Sequence, residues 1–333
     1  NKTIDGYGGG ISLSLPPDNM ILENVTIRNN YALRGGGIYQ GSADDFVELS
    51  STNKCNVYSN YALVGTDFYW DNTANENATV VLDTFTVENS TSFYAYTHNG
   101  GSITVQSTNH VVDAQVGDVY VDPGGSNNNS GSSPSTPFKN IYYAYLSIYA
   151  NSGLPGTIHL ADGTYSPSTN GEYFPLGGKD FVSIAGTSQA GTILNGDSLT
   201  SIFYFEDNED ITISDLTVTK GYSFTKGGGI TVENTNIDLN NITVSHNVVE
   251  QTGFGGGIYI SSDSKINTNN CIIDNNSSDY RGGGINIAEG NHNNNNTFVN
   301  TIFSNNSAHD GGGLMAMSAY ITVESSIFDS NTA

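Results

Sequence analysis

A Gly-Gly-Gly-aliphatic tetrad recurs six times along the chain, beginning at Gly8, Gly35, Gly227, Gly255, Gly282 and Gly311. Within each run the tetrads are 27, 28, 27 and 29 residues apart. A period of this size marks stacked structural repeats, each too small to bury its own apolar face. Most tetrads open onto residues that alternate with period two: Ile11 and Leu13, Ile230 and Val232, Ile258 and Ile260, Ile285 and Ile287. That alternation is the signature of a strand with one buried face.

A second alternating stretch ends in Asn in each repeat: Asn30 after Val25 and Ile27, Asn247 after Ile242 and Val244, Asn276 after Cys271 and Ile273. Asn306 and Asn331 follow Phe303 and Phe328 in the same way, and Asn60 closes a degenerate copy that leads into Gly65-Thr-Asp-Phe68. Asn and Gly tolerate left-handed backbone, so the two columns read as corners returning at one interval. Short strands, repeated corners and no helix within the period predict an all-β chain, a parallel solenoid whose coils stack at about 4.8 Å.

Residues 117–150 interrupt the period. Asp118-Val-Tyr-Val-Asp122 reads as a strand, followed by a Gly/Ser/Asn-rich loop. From Pro137 to Ala150 the apolar residues Phe138, Ile141, Tyr145 and Ile148 share one helical face, with Pro at the first position. An amphipathic helix there covers the first rung of a solenoid. The expected organisation is coils over 1–116, regular to about residue 70 and then decaying, a cap over 117–150, and coils over 151–333. The cap residues Val119-Tyr-Val-Asp-Pro-Gly-Gly-Ser, Ser133-Pro-Ser-Thr-Pro-Phe and Thr157-Ile-His-Leu-Ala-Asp-Gly-Thr-Tyr165 resemble the N-terminal cap of the pectin-lyase-like right-handed parallel β-helix superfamily. The Asn-Asn and Gly-Gly-Gly-Ile coils resemble the repeats of polymorphic outer-membrane proteins. The resemblance implies a right-handed parallel β-helix with a short amphipathic capping helix. It leaves chemistry open, since such folds serve lyases, hydrolases, adhesins and structural proteins.

With 33 acidic against 10 basic residues, the formal charge of −23 argues against nucleic acid and anionic membranes as partners. No run of eighteen apolar residues suggests membrane insertion. The chain begins in mid-solenoid and stops after an Asn corner. A further copy following Ala333 would place its first tetrad 30 residues after Gly311, close to the internal period. The leading expectation is therefore an extracellular or cell-surface structural protein, its Ala333 end stacking head to tail on the Asn1 end of another copy. The alternative is a surface adhesin that binds glycans or host proteins, with Phe68, Tyr69 and Trp70 as candidate patch, and the third a polysaccharide lyase or hydrolase.

No catalytic residues are expected. The arginines Arg34 and Arg281 precede tetrads as scaffold residues would, and Asp44-Asp45 has no partner carboxylate one coil away. Six histidines lack ligand spacing, so no cofactor is implied beyond a calcium candidate, Glu206, Asp207, Glu209 and Asp210. The preferred reading of that run is a solvated acidic turn. Cys55 and Cys271 share the column of Val25 and Ile242, which makes them small core residues about four coils apart in the continuous arrangement and unbridged. Sequons stand at Asn1, Asn24, Asn77, Asn89, Asn128, Asn241, Asn275, Asn276, Asn295 and Asn305, candidates for glycosylation on outward turns.

Overall fold

The computed structural model describes residues 6–14, 20–43, 45–291 and 295–333. It is a right-handed parallel β-solenoid that divides into two compact units, Asn1–Ala114 and Gln115–Ala333. In the second unit the coils stack into three long parallel stripes. One runs through eight strands from Val119–Val121 to Tyr320–Glu324, a second through seven from Gly163–Tyr165 to Ile327–Asp329. The third, fed by the tetrads, runs through six from Leu176–Gly177 to Leu314–Ala316. The first unit repeats the plan in two four-stranded stripes, one of them Ile11–Leu13, Ile38–Ala43, Phe68–Asn72 and Ala95–His98.

Register is kept coil after coil, so like residues meet. The inward column of the second stripe reads Leu194, Val218, Val244, Ile273, Phe303 and Phe328. Leu194 through Phe303 are fully buried, and each large aliphatic side chain so removed from water contributes about 1.5–3 kcal/mol. Cys55 and Cys271 are both buried and free.

The tetrad glycines answer two separate demands. Gly282 opens its tetrad at φ +65°, where a side chain is strained. At Gly283 the backbone is ordinary, but a Cβ would meet the carbonyl oxygens of Ser307 and Gly312 at 2.4 and 2.5 Å. The corner is thus a place where backbones of adjacent coils touch.

The other corners correct the sequence reading. The left-handed residues are Asn29, Ser59, His246, Asn275, Asn305 and Ser330, each one position before the Asn column. A further left-handed column, Asn24, Asp215, Asn241, Asn270, Asn300 and Ser325, lies five residues earlier wherever both occur in a coil. That five-residue corner is invariant. The path from the tetrad glycine to it is not: 14 residues from Gly227, 15 from Gly255, 18 from Gly282 and 14 from Gly311.

Two other expectations change. Residues 71–116 do not decay but hold two 11-residue strands, Asn77–Val87 and Ser102–Val112, paired in register. The helix is shorter than 137–150. Helix α1 spans Ile141–Ser147, because Phe138 is drawn into a bridge with Val121 and Ile148–Tyr149 turns to strand.

Candidate functional site: the amide ladder and the outermost coil

The Asn column lies inside the fold. Asn247, Asn276 and Asn306 are at most 1% exposed, and their amides form one aligned chain of hydrogen bonds. The backbone N–H and Nδ2 of Asn247 both donate to Oδ1 of Asn276, at 3.1 and 2.9 Å. Asn276 donates likewise to Asn306, and Asn306 to Asn331, at 2.9–3.0 Å. The second Nδ2 proton of each turns back to a carbonyl of the preceding coil, as from Asn276 to Val244 and from Asn331 to Phe303. Gly221 N–H starts the chain by donating to Oδ1 of Asn247 at 2.7 Å. Every interior amide is satisfied, which is why so polar a column can be buried.

The first unit holds a shorter ladder of the same polarity. Asn30 donates twice to Oδ1 of Asn60, and Asn60 donates to Oδ1 of Asp67 at 2.9 Å. Asp67 stands where the third tetrad glycine stands elsewhere. Thr86 donates to its other oxygen at 2.6 Å. Burial pushes this carboxyl up to about 7, against the pull of Thr86 and Asn60. A carboxyl oxygen, an acceptor, suits the end of a chain of donors pointing toward it.

The coil from Gly311 to Asn331 is the outermost of its unit. Among the described residues no strand pairs beyond Leu314–Ala316, Tyr320–Glu324 or Ile327–Asp329. Phe328 stacks on Phe303 at 4.4 Å with its outer side open, and Ile327 and Phe328 are 55% and 49% exposed. At the opposite side of this unit α1 is held by two buried side chains that flank the strand Leu176–Gly177. Glu172 accepts the N–H groups of Ile141 and Tyr142 at 2.8 and 3.2 Å, while Lys179 donates to the carbonyls of Tyr145 and Ile148. An acceptor at the N-terminus and a donor at the C-terminus satisfy backbone groups that a helix leaves open at its ends. Burial raises Glu172 and lowers Lys179 to about 7. Sequence reasoning passed over both, although charge is scarce in this chain and neither sits on a strand.

The other candidates disperse. Among the described residues no three His, Cys, Asp or Glu side chains converge on a cation position. Glu206 turns to the Tyr204 phenol at 2.9 Å, Asp207 accepts from Asn234, and Asp210 is a left-handed corner. Glu233, in register with Glu206 one coil on, also meets that phenol at 2.5 Å and pairs with Lys226. This is a closed network of carboxylates, phenol and ammonium. The aromatic run is buried, not a patch: Phe68 and Trp70 point inward at 0% and 1% exposure, and Tyr69 is sandwiched between Tyr39 and Tyr96 at 5.3 Å on each side. Asp44 and Asn1 lie outside the described residues; Asp45 is exposed. Of the sequons, Asn24, Asn77, Asn89, Asn128, Asn241, Asn275, Asn295 and Asn305 are exposed, whereas Asn276 is locked in the ladder.

Comparison of the chain with protein-family models, with curated proteins and with solved structures returns no match.

Proposed function

We propose that this protein is structural: a rigid solenoid element that stacks head to tail on further copies, forming an extracellular filament or surface array. The observation that carries the reading is the amide ladder, whose Asn donors point toward the following coil in both units, so that a coil offers donors on one side and an acceptor on the other. A parallel strand edge pairs with another strand, and unlike ends on one molecule build open rather than closed assemblies. Exposed sequons and a charge of −23 suit a hydrated surface outside the cell, where glycans and like charge limit lateral clumping. The adhesin reading has lost its patch, since Phe68 and Trp70 serve the core and Tyr69 is closed between Tyr39 and Tyr96.

Electron microscopy and sedimentation across a concentration series test the proposal. Fibres that lengthen with protein concentration support it. A monodisperse particle at every concentration overturns it.

A further inference from the structure

We infer that the Gly311–Asn331 coil of one copy seats on the Gly8–Asn30 coil of another in a single register, fixed by the amide ladder and by an Asp329–Arg28 pair. This rests on the stacking proposed above and names its contact. Three coincidences of conformation set the register. Gly311, Ser325 and Ser330 have φ of +65°, +51° and +54°; Gly8, Asn24 and Asn29 have +66°, +52° and +57°. The two coils therefore bend at the same three places with the same hand.

With those corners aligned, the inward columns continue across the joint. Phe298 and Val323 are followed by Leu22, Phe303 and Phe328 by Ile27, Ile285 and Leu314 by Ile11. Leu22 and Ile27 already face the interior of their own unit, at 7% and 4% exposure. Val323 and Phe328, 46% and 49% exposed, gain the cover that every earlier member of their columns has.

The ladder then joins. Asn331 presents its backbone N–H and one Nδ2 proton toward the following coil, as Asn306 does toward Asn331. Asn30 presents Oδ1, its amide nitrogen being committed to Asn60. Donors meet an acceptor, and the joined chain runs from Gly221 N–H to the Asp67 carboxyl with a partner at every step. Turned end for end, the second copy would bring donor against donor. On the outer surface Asp329 falls opposite Arg28, one position beyond the Phe328–Ile27 pair, and opposite charges facing across strands attract. One like-charge meeting, Glu324 against Glu23, belongs to the same register.

Charge exchange tests this. Arg28 and Asp329 are exposed and lie outside the core, so their variants fold. Arg28→Asp alone places two acids face to face and raises the protein concentration at which fibres appear by about fivefold. Arg28→Asp with Asp329→Arg restores the original value. A second arm substitutes Arg28→Cys and Asp329→Cys and oxidises: a ladder of covalent multimers is expected on a non-reducing gel. If the unsubstituted protein forms fibres, yet Arg28→Asp leaves them unchanged and the cysteine pair does not cross-link, the register is wrong while stacking stands. If the unsubstituted protein forms no fibres, both ideas fall together.

Discussion

The two units follow one plan with different interiors. In the second, the tetrads keep all three glycines and the core is a stack of Ile, Leu and Val with a few Phe. In the first, the third coil replaces the tetrad by Gly65-Thr66-Asp67-Phe68. Its interior turns aromatic there: Phe68 stacks with Phe85 at 5.9 Å, and Phe46 packs on both Phe68 and Trp70. The outer face adds the row Tyr7, Tyr39, Tyr69 and Tyr96, ring upon ring at 4.8–5.3 Å. A kept tetrad lets backbones approach and small aliphatics fill the coil. A tetrad that admits side chains needs larger rings, and it ends the amide ladder on an acid.

The sharpest way to break that contrast is at the middle tetrad position. Gly283→Ala drives a Cβ into two carbonyl oxygens and should destabilise the second unit by about 4 kcal/mol or more, read by chemical denaturation. Thr66→Ala, at the equivalent place in the first unit, should cost about 1 kcal/mol or less, because that coil already accommodates a Cβ. Equal effects would mean that the glycines answer to something other than close approach.

Ladder removal comes next. Asn276→Ala strands the donors of Asn247 and the carbonyl of Val244, and a loss of about 3 kcal/mol is expected in the same denaturation measurement. Asn60→Ala should cost a similar amount in the first unit, since it also strands Asp67.

The units should also respond oppositely to pH. Asp67, raised from 3.8 to about 7, keeps its proton in the fold where the unfolded chain has lost it. Its contribution is complete below pH 3.8 and is lost as pH rises through 7, about 4 kcal/mol in all. Lys179, lowered from 10.5 to about 7, is neutral in the fold where the unfolded chain is protonated. The second unit therefore gains stability between pH 7 and 10.5 and loses it as pH falls to 7. Glu172, raised by burial, adds a loss of its own to the second unit as pH rises through its folded pKa. Hydrogen exchange of each unit against pH separates these trends: Asp67→Asn should flatten the first, and Lys179→Met the alkaline gain of the second. Tyr39→Ala opens the tyrosine row and should lower first-unit stability by about 1 kcal/mol beyond its lost buried area, read by the same denaturation measurement.

Much of this architecture is written locally. Tetrad glycines at one period, strands alternating with period two and a column of Asn dictate coils, register and corners. What escaped was what the Asn side chains do. A left-handed corner and a buried amide favour the same residue type, and only the chain path separates them. The left-handed site proves chemically loose, accepting Ser59, His246 and Ser330 as readily as Asn29, while the next position holds Asn in every coil that carries the ladder. The apparent decay over 71–116 had a similar cause, because ring stacking replaces the glycine signal there. Glu172 and Lys179 were hidden because their partners are backbone groups 30 to 34 residues away, which no local pattern records.

The uneven path between tetrad and corner has a practical consequence. The path between tetrad and corner can lengthen by four residues, from 14 to 18, while the five-residue corner and the interior columns stay in place. Foreign peptide spliced at the exposed Gly290 would be carried as cargo without disturbing the stack, so this stretch of the coil is the one to engineer for display.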